Sequence, residues 1–188
     1  MKISILVNSF IMPKWVTNMI KILKDDSDLL ISIIKVNLES SGYEKTNLII
    51  KKYIDLDSKL FKSNTNALKE EDIRKIYKNI NYIETDHVSF KENNLMNDLF
   101  QADDILINLS KCKLSYKVFS LVRFGVWEFF VEEKNVTNYS VGVIEVLKQK
   151  SPINLYLSSN FGDGEKKIIL YQSSSHCEKR SLNRTMNS

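Results

Sequence analysis

Phe124-Gly125-Val126-Trp127-Glu128-Phe129-Phe130 is followed, ten residues on, by Val141-Gly142-Val143-Ile144-Glu145. In the first stretch Gly125 and Trp127 open an apolar run that reads as a buried strand. In the second, Gly142 opens a short amphipathic helix. A strand whose end faces a helix start across a loop is where α/β proteins place their chemistry. The loop between them, Val131-Glu132-Glu133-Lys134-Asn135-Val136-Thr137-Asn138-Tyr139, contains no histidine.

Upstream of this stretch, Leu114, Val118, Leu121 and Val122 have helical spacing, and Gly125 is placed to end that helix. Before it, Asp104-Ile105-Leu106-Ile107-Asn108-Leu109 reads as a buried strand. At the start of the chain Ile3 to Val7 is a compact β-branched run. Pro13 suits the first turn of a helix, and Trp15, Val16, Met19, Ile20, Ile22 and Leu23 follow at helical spacing. Leu29 to Val36 is a second continuous apolar run. Strand, helix and strand within the first 37 residues form a βαβ unit, which implies a parallel sheet.

The segment from Glu39 to Ile80 is less regular. Within it, Ile73, Ile76, Tyr77 and Ile80 make a helical stripe. Tyr82-Ile83-Glu84 reads as a short strand, and Leu95, Met96, Leu99 and Phe100 as a helix face. Val143, Ile144 and Leu147 belong to the short helix opened by Gly142. Farther on, Ile153, Leu155 and Leu157 alternate with polar residues, as in a strand with one wet face. Asn160-Phe161-Gly162-Asp163-Gly164 reads as a turn, and Ile168 to Tyr171 as a last strand. After Ser173 the chain is polar and has little to bury. The expected organisation is one α/β domain over residues 1–174 and a polar, disordered tail over 175–188.

Composition bounds the function. The 188 residues suffice for a real core, since a chain of this size buries roughly 70% of its unfolded surface. The net charge of +4 suits phosphate-bearing or nucleotide ligands without demanding them. No basic stripe interleaved with aromatics points to nucleic acid. Neither a Walker loop nor G-x-G-x-x-G occurs among only five glycines, which argues against a glycine-built phosphate cradle. Cys112 and Cys177 cannot make a disulfide framework or a zinc site by themselves, and no metal site is expected. The apolar start is broken by Asn8-Ser9 and reads as a strand rather than a signal peptide. No run approaches the roughly 20 apolar residues of a membrane span, so the expectation is a cytoplasmic protein. Asn-x-Ser/Thr triplets at Asn108, Asn135, Asn138 and Asn183 read as chance in an Asn-rich chain.

The second half of the chain resembles the formyltransferase-like fold of methionyl-tRNA formyltransferase. It is most similar to the formyltransferase-like domain found beside sugar transferases of the glucosamine inositolphosphorylceramide transferase type. That group carries a Gly-Val-Trp-x-aromatic-His-His-Gly-Asp stretch and then Gly-Phe-Trp-Glu. Here the same places read Gly125-Val126-Trp127-Glu128-Phe129-Phe130-Val131-Glu132 and Gly142-Val143-Ile144-Glu145. The strand Asp104 to Ser110, the first strand and the Pro13-Lys14-Trp15 helix start fit the same pattern. The resemblance implies a Rossmann-like, mostly parallel sheet flanked by helices. It also implies formyl transfer from 10-formyltetrahydrofolate by an Asn-His-Asp set, the imidazole moving protons and donors stabilising the oxyanion. By this correspondence Phe130 stands where the histidine would be, Glu128 where the asparagine would be, and Asp163 where the aspartate would be. Phe130 can neither exchange a proton nor donate a hydrogen bond. The ordinary mechanism is therefore not expected to run.

Each candidate has a plainer reading beside it. Asp163 precedes Gly164, and Asp-Gly is common turn chemistry. Glu128 either faces a cleft or sits on the wet side of an edge strand. Glu132 and Glu133 belong to a charged, solvated loop. Glu145 orients the loop or is one more exposed acid. His87 reads as a surface side chain, and His176-Cys177 lacks a scaffold to hold a catalytic pair. Asn108 and Ser110, and likewise Asn8 and Ser9, end buried strands, where ligand-facing polar groups sit in open α/β sheets.

Three functions follow as expectations. The first is an eroded formyltransferase-like module, binding a small molecule or sugar-nucleotide or serving as a scaffold in carbohydrate or glycoconjugate metabolism. The second is a working formyl- or glycosyl-transferase using formyl-folate or a nucleotide-sugar, with Glu128 or Asp163 as base. The third is an interaction protein that docks a partner glycosyltransferase or a fused domain.

Overall fold

The computed structural model describes residues 1–37, 52, 56, 59, 69–86, 100, 103–110, 112–131, 134–135, 152–161 and 166–176. In chain order the elements are β1 (Lys2–Val7), β2 (Ile11–Pro13), α1 (Lys14–Lys24), β3 (Leu30–Asn37), β4 (Glu70–Asp72) and α2 (Ile73–Ile76). They continue with β5 (Asn81–Asp86), β6 (Ile105–Asn108), α3 (Tyr116–Leu121), β7 (Val126–Val131), β8 (Lys134–Asn135), β9 (Ile153–Phe161) and β10 (Lys166–Ser175).

An eight-stranded sheet runs β10-β9-β7-β6-β1-β3-β5, with β8 hydrogen-bonded beside β7. Strands β5, β3, β1, β6 and β7 are parallel, β9 is antiparallel to β7, and β10 is antiparallel to β9. The chain is thus an α/β protein with a mostly parallel mixed sheet. A two-stranded ribbon of β2 and β4 leads into α1 and α2. From β1 the chain builds outward through β3 and β5 on one side. It then returns to β6 and builds outward through β7, β9 and β10 on the other. The order therefore reverses between β1 and β6.

The unbroken apolar runs at β1 and β3 follow from that placement. A parallel strand covered on both faces needs apolar side chains at consecutive positions. Ile3, Ile5 and Val7 pack with Val16 and Ile20 of α1, with Ile33 of β3 and with Ile105 and Ile107 of β6. The opposite face joins Leu6, Ile34, Leu106 and Val126 to Phe100 and to Val118 and Val122 around α3. The helix α1 ends with Lys21 and Lys24 in its last turn, where cations meet the negative end of the helix dipole. At the amino edge of the sheet, Lys2 holds buried Asp103 at 2.7 Å. The Lys2 N–H donates to Asp104 Oδ2 at 2.8 Å.

The structure shortens one expected element. The stripe Ile73, Ile76, Tyr77 and Ile80 predicts a longer helix, but α2 is a single turn that Tyr77 leaves at φ −121°. Tertiary contacts account for the stop. Tyr77 Oη reaches the Thr17 carbonyl of α1 at 2.9 Å, and Tyr82 Oη lies 2.8 Å from the Tyr77 carbonyl and 2.9 Å from that of Ile73. Asp72 caps the turn by accepting from the Arg74 N–H. The Arg74 guanidinium closes back on the same carboxylate and holds it below its usual range.

Burial pushes both the Tyr77 and Tyr82 hydroxyls above the ordinary tyrosine range. A raised acid pKa in the fold contributes stability below the unfolded value of about 10. That contribution is lost as pH rises through the folded value. Tyr82→Phe is expected to cost about 1 kcal/mol near neutrality. It should also make the fall of stability above about pH 10 shallower, as checked by urea unfolding across an alkaline series.

Two further expectations are adjusted. Gly125 does not terminate α3, because Val122 is already extended at the end of the helix. Instead the Gly125 N–H closes a turn onto the Val122 carbonyl at 3.1 Å. The expected boundary at 174 moves slightly, since Ser174 and Ser175 pair in β10 with Asn154 and Ile153. Backbone pairing needs no apolar side chain, so polar composition did not reveal it. Residues 177–188, and the expected helix at Val143 to Leu147, lie outside the described residues, as do Leu95, Met96 and Leu99. Among the described residues no helix is long and apolar enough to cross a membrane.

Candidate functional site

The carboxyl end of β6 lies beside the point where the strand order reverses. Asn108 is the last residue of β6. The pairings Leu106–Val126 and Ile107–Trp127 carry it, one step further, alongside Glu128. Across the antiparallel junction Glu128 pairs with Ser158 and Val126 with Asn160. Alternation along each strand then puts Asn108, Glu128, Ser158 and Asn160 on one face.

Their side chains form a fork. Asn108 Nδ2 donates to Glu128 Oε1 at 2.8 Å, and Asn160 Nδ2 donates to Glu128 Oε2 at 2.9 Å. One carboxylate is thus held between two amides drawn from the strands on either side. The other end of the Asn108 amide fixes the loop after β6. Its Oδ1 accepts from the Ser110 N–H at 3.1 Å and the Ser110 hydroxyl at 2.8 Å. Ser110 Oγ in turn accepts from the Cys112 N–H at 3.2 Å. Asn108, Ser110 and Asn160 are buried, while Glu128 is half-buried. Burying amides is tolerable because each has a partner. Ser158 is fully buried beside them, and among the described residues its hydroxyl has no hydrogen-bond partner.

Phe130 follows two residues along the same face of β7 and is 6% exposed. The Lys167 ammonium of β10 stands over its ring, 2.9 Å from the centroid. Desolvation lowers the Lys167 pKa, and the Glu128 carboxylate opposes that shift. Trp127 faces the other way, packs against the α1 side of the core and donates Nε1 to the Phe124 carbonyl at 3.1 Å. Among the described residues no group of three His, Cys, Asp or Glu is placed to hold a metal ion.

Of the residues singled out by sequence, the fold brings Asn108, Ser110 and Glu128 into one network. Ser9 is used locally, its Oγ accepting from the Ile11 N–H at 3.0 Å at the entrance to β2. Asn8 is half-buried just past β1. Asp163, Glu145, Glu132, Glu133, His87 and Cys177 lie outside the described residues. Sequence reading missed Asn160, Ser158 and Lys167. The sequence places Asn160 in a turn because Gly162-Asp163-Gly164 follows it, but the structure carries β9 through it to Phe161. The signal was available, because the alternation of Ile153, Leu155 and Leu157 extends in phase to Ser159. That phase puts Ser158 and Asn160 together on the other face.

A second polar cluster lies on β3 and β5. Glu84 accepts from Lys35 at 2.5 Å and from Asn37 at 3.0 Å, which holds its carboxyl below the usual range. The Phe10 ring sits beneath Arg74 and Lys35 and meets Tyr82 edge-on. These groups satisfy one another, so the cluster reads as structural.

The chain matches no known protein-family model and no curated protein.

Proposed function

We propose that this chain is a formyltransferase-like domain with a Rossmann-like sheet, in which formyl transfer has been lost and the strand-end site is kept for binding. The reading rests first on the motif likeness around Gly125 and Gly142. It is supported by the reversal of strand order between β1 and β6, the crevice where open α/β sheets take their ligands.

The observation that carries it is the forked carboxylate. Acyl transfer needs hydrogen-bond donors where negative charge develops on the tetrahedral intermediate. Glu128 presents an anion there, with both oxygens already accepting from Asn108 and Asn160. Phe130, at the position that would carry imidazole, is packed under Lys167 and moves no proton. Such a site repels an oxyanion but suits a ligand rich in donors, such as the hydroxyls of a sugar or nucleotide-sugar. Lys167 supplies the cation for its phosphate. A role in carbohydrate or glycoconjugate metabolism follows from that ligand class.

Thermal denaturation with added ligand tests this. A nucleotide-sugar at 100 times its dissociation constant should add about 2.7 kcal/mol of stability. A 10-formyltetrahydrofolate analogue should add none. Neither the wild type nor Phe130→His should formylate an amine, because Glu128 still replaces the amide donor. Formyl transfer by the unaltered chain would overturn the reading in favour of a working enzyme with Glu128 as base. Absence of any shift, together with retention of a glycosyltransferase from extract, would favour a docking role instead.

A further inference from the structure

Away from the strand-end site, β10 carries a run of strongly exposed apolar residues. Among the described residues it is the last strand of the sheet and pairs only with β9. Its ten residues exceed the usual strand length of about five or six. Ile168, Ile169, Leu170 and Tyr171 are consecutive and all strongly exposed, at 53%, 57%, 45% and 60%. Ile168 and Ile169, ahead of the bulge, alternate between faces, so apolar surface is left on both sides of the edge. Proteins normally guard such an edge with short strands, charges, proline or a bulge. Here a bulge between Ile169 and Tyr171 leaves the apolar side chains in solvent.

We propose that β10 pairs antiparallel with β10 of a second copy of this chain, joining the two sheets across a two-fold axis at Ile169. The sequence of the edge is complementary to itself in that arrangement. Ile169 meets its own copy, Ile168 meets Leu170, and Lys167 meets Tyr171. Every apolar residue of the run Ile168 to Leu170 faces an apolar one, and Lys167 falls opposite Tyr171 rather than opposite another lysine. A parallel alignment in register would stack lysine on lysine, which disfavours it. The two-fold arrangement is also the commonest closed symmetry, using the same patch on both partners. The contact is one strand wide, below the roughly 1,200–2,000 Å² of firm interfaces. The dimer should therefore be weak and depend on concentration.

Sedimentation equilibrium of the full chain over a broad concentration range tests the proposal. The average mass should climb from one chain toward two. Ile169→Lys, which puts two like charges on the axis, should remain a single chain throughout. Ile169→Cys in a Cys177→Ser background, with Cys112 buried, should cross-link to a dimer under mild oxidation. The separation of paired Cα atoms in either antiparallel pair type allows a disulfide. A chain that stays single at all concentrations would overturn the proposal. So would a dimer that survives Ile169→Lys, or an Ile169→Cys protein that stays reduced while the wild type dimerises. Far-ultraviolet circular dichroism confirms that the variants fold, which the exposure of Ile169 makes the expected result.

Discussion

Gly125→Ala should destabilise the protein by about 2–5 kcal/mol. Gly125 has φ +77°, and a Cβ there would lie 2.5 Å from the Asn160 carbonyl oxygen, 2.6 Å from Ser159 Oγ and 3.0 Å from Phe161 Cδ1. The left-handed conformation alone costs a residue with a Cβ roughly 1–2 kcal/mol. Forcing extra volume into a packed contact adds about 1–3 kcal/mol. Ser159 could turn its hydroxyl away, although it now donates to the Phe124 carbonyl at 2.9 Å. The Asn160 oxygen is backbone, so relief there requires β9 to move. Movement of β9 draws the Asn160 amide away from Glu128, so the substitution should weaken ligand binding as well as folding. Urea unfolding reads the first effect as a lower midpoint at unchanged slope. A loss below about 0.5 kcal/mol, the range of ordinary surface changes, would mean that the β7–β9 junction yields freely.

Asn108→Asp is the second large effect, and its signature is dependence on pH. The substitution preserves shape and leaves an acceptor for the Ser110 N–H and hydroxyl. It replaces the Nδ2 donor, 2.8 Å from Glu128 Oε1, by an oxygen. Two carboxylates in hydrogen-bond contact in a partly buried place cannot both remain ionised at low cost. The expected loss is about 3 kcal/mol at neutral pH, comparable to breaking a buried charged pair. At lower pH the pair takes up one proton and regains a hydrogen bond. Because that proton is held more tightly folded than unfolded, the lost stability returns below the carboxyl range near pH 4 and disappears as pH rises through the pair's folded value. Asn108→Ala also loses the amide bond but introduces no second charge, so its deficit should stay flat with pH. Unfolding free energies of wild type and both variants, measured across the same acid-to-neutral buffers, separate these outcomes. A flat deficit for Asn108→Asp would show that the Asn108 side chain does not face Glu128 in solution.

Much of the sheet could be read from local composition. The runs Ile3 to Val7, Leu29 to Val36 and Ile105 to Leu109 are too apolar for any place but a doubly covered strand. Between the first two, α1 carries its apolar stripe at the right period. Those features name the strands of a parallel α/β sheet before any contact is known. The stripe at Ile73 to Ile80 failed because helical spacing says nothing of competing partners. There the Tyr77 hydroxyl is used by Thr17 and the Tyr77 carbonyl by Tyr82.

The candidate site was legible only by halves. Asn108, Ser110 and Glu128 drew notice as polar residues in or after apolar strands. Asn160, fifty-two positions beyond Asn108, looked like the start of a turn.

What the chain determined by itself is which segments must be buried and with what period, because hydrophobic burial acts residue by residue along the sequence. Only the tertiary structure decided that β9 runs antiparallel beside β7. That pairing sets Asn160 on the opposite side of Glu128 from Asn108 and presses Gly125 against a backbone oxygen. It also leaves four apolar side chains of β10 in water. Hydrogen bonds reach about 3 Å, so the partners of a carboxylate are chosen by strand order and register, which no local pattern encodes.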